Sequence, residues 1–69
     1  MTGELTKEQK IQMAEDMIKA LRTEAFRLEL EKAIHAGDVL MVNNITEQMA
    51  RTSNRIIEAE KKLALIKLI

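Results

Sequence analysis

The chain has 69 residues, eleven basic and eleven acidic, with no cysteine and no proline. A domain this small rarely draws more than about 3–5 kcal/mol from a single core, and without disulfides the remaining stability has to come from association. Balanced, well-mixed charge argues against a dedicated nucleic-acid binder, which carries a basic stripe. No apolar run reaches the roughly 18 residues of a membrane span, and Met1-Thr2-Gly3-Glu4 lacks the regions of a signal peptide. The expectation is one domain over residues 1–69, without a membrane span, in the cytoplasm.

Residues 1–5 read as a frayed lead-in. Thr6 followed three places later by Gln9 is a capping-box pattern, so the first helix is expected to begin at Lys7. Its apolar positions Ile11, Ala14, Ile18, Leu21, Ala25 and Leu28 alternate by threes and fours, which is a heptad seam. At His35-Ala36-Gly37-Asp38 the chain should turn. Gly37 suits a left-handed helix stop, His35 suits the negative end of that helix, and Asp38 suits the cap of the next. The second helix carries the matching seam Val42, Ile45, Met49, Thr52, Ile56, Ala59, Leu63 and Ile66.

The fold class predicted is therefore all-α. It is an antiparallel two-helix hairpin, with helices at 7–36 and 39–68 and a turn at Gly37-Asp38. Folded about that turn, Leu28 meets Ile45, Leu21 meets Thr52, Ile18 meets Ile56 and Ala14 meets Ala59. Two helices alone leave much of each seam wet, so the hairpin is expected to assemble with copies of itself into a four-helix bundle, or larger, about 45 Å long. Glu15 and Lys19, Arg27 and Glu31, Glu47 and Arg51, and Glu58 and Lys62 stand four apart on solvated faces, spaced for helix-stabilising ion pairs.

Three features are not explained by the hairpin itself. Phe26, Leu30, Ala33 and Ile34 make a second apolar stripe away from the Ala25 and Leu28 side, continued past the turn by Val39, Leu40 and Met41. A helix apolar on two sides has two neighbours. Phe26, Leu30, Ala33, Ile34, Leu40 and Met41 are thus the candidate partner-binding residues, for a second copy or for another protein. Next comes a polar segment in which Arg51, Thr52, Ser53 and Arg55 are an alternative site for an anionic small molecule, because arginine forks suit carboxylate or phosphate. The plainer reading pairs Arg51 with Glu47 and Arg55 with Glu58, with Thr52 fixing register. Finally, Leu63 to Ile69 ends on an almost unbroken apolar run, where Leu68 and Ile69 lack a partner unless Leu5 folds over them. Docking in the assembly accounts for that run better than membrane-surface contact, since only Lys61, Lys62 and Lys67 accompany it.

No phosphate loop, nucleophile and base pair, or His and Cys cluster occurs, so no catalytic residue, metal site or cofactor is expected. Lys32 stands where a Glu-x-x-His motif ending at His35 would need its glutamate. The two-helix layout, with the five-residue run Thr6-Lys7-Glu8-Gln9-Lys10, resembles the repressor-of-primer hairpins of plasmid copy control. In those proteins an exposed aromatic between basic residues contacts RNA, and the parallel here is Lys19, Arg22, Phe26 and Arg27. Glu15, Glu24 and Glu29 interrupt the positive field such binding needs, so no function is carried over and RNA binding ranks third.

Overall fold

Thr6 opens the first helix as its residue type and spacing require. In the computed structural model, which describes residues 3–69, its hydroxyl accepts from the Gln9 N–H (3.1 Å), and the Gln9 side-chain oxygen accepts from the Thr6 N–H (2.8 Å). This reciprocal pair satisfies two donors that a helix start leaves free, and helix α1 runs Lys7–Ile34 from it. Of the lead-in expected to fray, Met1 and Thr2 lie outside the described residues. Gly3 to Leu5 are non-helical, and Gly3 has a positive φ of 75°.

The reversal takes two residues more than the sequence implies. α1 ends at Ile34, not Ala36, with His35 as C-cap donating its N–H to the Glu31 carbonyl (3.0 Å). Gly37 does not take the left-handed conformation expected of it. The chain is turned instead by a backbone hydrogen bond from the Asp38 N–H to the His35 carbonyl (2.9 Å). The Asp38 carboxylate then accepts from the Met41 N–H (3.1 Å) and caps helix α2, Val39–Leu68. A Cβ built on Gly37 meets no heavy atom within 4 Å. Gly37→Ala is accordingly expected to stabilise the hairpin by about 0.4–1 kcal/mol, through loss of freedom in the unfolded chain. Thermal unfolding followed by circular dichroism checks this, and a lower melting temperature would mean that the turn needs glycine after all.

α1 and α2 pack antiparallel along their seams, and every predicted seam residue is buried or half-buried. The fully buried layer is short: Ile18, Leu28 and Ile45, with Thr52 as its polar member. Three such apolar side chains contribute about 1.5–3 kcal/mol each. That is small beside the entropy lost in ordering two long helices, about 1–2 kcal/mol per residue. The shape agrees. The hairpin measures 55 × 19 × 15 Å with a radius of gyration of 16.0 Å, where a compact domain of this length has about 11 Å. Its accessible surface is 5574 Å² at 7.9 kDa, about 1,200 Å² more than a compact folded chain of that mass exposes.

Cross-helix contacts on the flanks run farther along α2 than the turn alone implies. Ile18 shares a groove with Leu63 as well as lying on the seam, and Arg22 reaches Glu60 at 2.6 Å. Side chains on each helix lean toward its own N-terminus. In an antiparallel pair the two lean past one another, so the residues that touch sit on backbone positions several residues out of level.

Candidate functional site

The residues singled out from the sequence fall into distinct places on the hairpin. Phe26 (59% exposed) stands at the rim of a groove of about 600 Å³ between the helices. The buried Ile18 and half-buried Leu63 form the floor of this groove. Lys19 and Arg22 stand along its α1 wall, while Glu15 and Glu60 supply negative charge. Leu30 and Ala33 continue from Phe26 along the outside of α1, both exposed. Ile34 (76% exposed) and Leu40 (82%) belong instead to the tip, together with exposed Val39 and the less exposed Met41. The single stripe read from the sequence is thus a side surface plus an end surface. The turn had already placed Leu40 and Met41 on a helix running the other way.

Charges around these surfaces are largely matched within the chain. Arg27 is held between Glu24 and Glu31, and its hydrogen bonding to Glu24 is the main reason the Glu24 carboxyl sits below its ordinary value and the Arg27 guanidinium above its own. Arg22 is taken by Glu60. Of the basic residues in the RNA-like arrangement, Arg27 is therefore engaged away from the groove that Lys19, Arg22 and Phe26 share, and two carboxylates stand inside that groove. The positive field that an RNA backbone needs is not assembled there.

The polar segment of α2 is also divided. Arg51, Thr52 and Arg55 line a shallow groove of about 320 Å³ with Glu24, Leu28 and Gln48, but Ser53 is not part of it. Ser53 follows Thr52 by one residue, about 100° round the helix, which turns it toward another side. Arg51 pairs with Glu47 (3.4 Å) as expected. Arg55 does not pair with Glu58, which turns to Lys61 (3.6 Å) in place of both Arg55 and Lys62. Glu15 and Lys19, also spaced for an ion pair, make none among the described residues. Glu24 stands in the wall of this groove opposite the two arginines, and the buried Thr52 is at its base.

At the open end, Leu5 flanks the chain's apolar finish without covering it, and Ile69 stays 93% exposed. Leu5, Met13, Ile66 and Ile69 line one groove of about 550 Å³ with Lys7, Lys10 and Lys62 at its edges, while Leu68 remains 83% exposed. No helix is long and apolar enough to cross a membrane, and no group of three acidic, His or Cys side chains gathers to hold a metal among the described residues. Comparison with family models, with curated proteins and with solved structures gives no match to this chain.

Proposed function

We propose that this chain is a small non-enzymatic interaction protein, a helical hairpin that associates with copies of itself and presents its tip to another protein, as an adaptor, inhibitor or assembly factor. The observation behind this is the distribution of apolar surface. Three apolar side chains are buried, whereas Phe26, Leu30, Ile34, Val39, Leu40, Ile57 and others of their size stand exposed. Exposed apolar area in continuous patches marks places where other chains bind. Self-association covers the sides, and Ile34, Val39 and Leu40 remain at the end as a compact anchor for a different partner.

Light scattering over a dilution series tests the first half of this. The expected molar mass is at least twice 7.9 kDa at tens of micromolar, with helical signal falling as dilution separates the chains. A fully helical monomer at nanomolar concentration would overturn it. For the tip, Ile34→Asp with Leu40→Asp is expected to leave mass and helicity unchanged while abolishing recovery of a co-purifying protein that the parent retains. Equal recovery by parent and variant would remove the tip from the reading.

A further inference from the structure

One side of the hairpin carries a pattern that the seam does not use. On α1, Glu15, Lys19, Arg22, Phe26 and Glu29 follow one another by fours and threes, the spacing of a second stripe beside the seam. On α2, Thr46, Ala50, Ser53 and Ile57 do the same. The Arg22–Glu60 ion pair joins the two helices on this side, so both stripes belong to one face. The α2 half is small and uncharged from Thr46 to Ser53, which lets another helix approach closely there, and then carries Ile57 and Glu60. The α1 half runs from an acid, Glu15, through two cations to the chain's only aromatic and then a second acid, Glu29. Arg22 is already satisfied by Glu60. Among the described residues Lys19 and Glu29 make no ion pair, and the groove beside Lys19, floored by Ile18 and Leu63, is open.

We infer that this face is covered by a second copy of the same chain lying antiparallel to it, with the two-fold axis passing between Arg22 and Phe26. The inference rests on the self-association proposed above and fixes its face and direction. Each Phe26 enters the groove of the other chain, over Ile18 and Leu63, where Lys19 and Arg22 present cations to its ring. Each Glu29 meets the other chain's Lys19. Every contact is made twice, as a two-fold interface requires. The hairpin as a whole exposes roughly 1,200 Å² more than a compact chain of its mass, against the roughly 800 Å² per partner of a standard stable interface. A copy laid with its tip beside the first tip leaves the groove unfilled and Lys19 and Glu29 unmatched.

The chain has no cysteine, so Ala36→Cys carries a single spin label at the exposed tip. Tips at opposite ends of the bundle predict a label separation of about 40 Å, from about 1.5 Å rise per residue on each side of the axis. A separation of about 20 Å or less means tips together and overturns the direction. Charge exchange tests the pairing. Lys19→Glu alone and Glu29→Lys alone should each weaken dimerisation about tenfold by sedimentation equilibrium. An equimolar mixture of the two variants should recover parent-like affinity as a heterodimer. If the parent is a dimer and the mixture recovers nothing, self-association stands and this face is wrong. If the parent is monomeric at 100 µM, the self-association reading fails first and takes this inference with it.

Discussion

Leu28→Ala is expected to leave the chain without a cooperative unfolding transition above room temperature. Leu28 is 1% exposed, the most deeply enclosed side chain of the hairpin, and it lies where α1 approaches Thr52 and Gln48 of α2. Truncating a buried leucine costs about 2–5 kcal/mol, the higher values where the surroundings cannot collapse into the space. Two straight helices with no third layer have few side chains to move in. Against a total of about 3–5 kcal/mol for a core of this size, the loss is comparable to the whole stability. Urea or thermal denaturation at a fixed chain concentration measures it, because association makes the midpoint concentration-dependent. Should Leu28→Ala melt within a few degrees of the parent, the short buried layer is not what holds the helices together.

Both helix starts and both seams were legible in the residues, because each rests on local chemistry. Thr6 with Gln9 and Asp38 with Met41 are satisfied within one turn of helix, so spacing alone predicts them. The close of α1 was not. Glycine permits a left-handed stop but does not impose one, and the His35 to Asp38 hydrogen bond closes the turn without it. Surface ion pairs were partly missed for a related reason. Glu58 has lysines both three and four residues away, each pairing is worth only tenths of a kcal/mol, and the chain takes Lys61. The candidate surfaces needed the third dimension. Phe26 and Ile34 are close in sequence and lie on one apolar stripe by count, yet the rim of a side groove and the end of the hairpin are different places. Nothing local to Phe26 reveals that Glu60 and Leu63 stand across from it; that follows from how antiparallel side chains lean past one another.

Thr52→Ile is expected to raise the melting temperature by about 5–15 °C while making the assembly less uniform. Thr52 is 5% exposed on a seam whose other positions are apolar. Thr23 and Thr46 donate their hydroxyls to the carbonyls of Lys19 (3.0 Å) and Val42 (2.8 Å), but among the described residues Thr52 makes no such bond. No buried polar side-chain atom is left unpaired among the described residues, so the Thr52 hydroxyl keeps some access to water, and the gain from hydrocarbon comes mainly from added apolar contact at about 0.8 kcal/mol per methylene. Isoleucine is also branched at Cβ, so the backbone preference changes little. A gain of about 1–2 kcal/mol corresponds to the stated rise for a chain of this length. Threonine persists at a cost because a polar seam residue penalises alignments that would bury it against hydrocarbon. Without that penalty, shifts of α2 along α1 by a heptad become nearly equal in energy. The variant should therefore melt higher but over a broader range, and scatter light as a mixture of masses. Thr52→Val, nearly equal in volume, separates the hydroxyl from overpacking. A lower melting temperature for Thr52→Val would mean that the hydroxyl makes a bond the hairpin needs, and that its place on the seam is one of support, not selection.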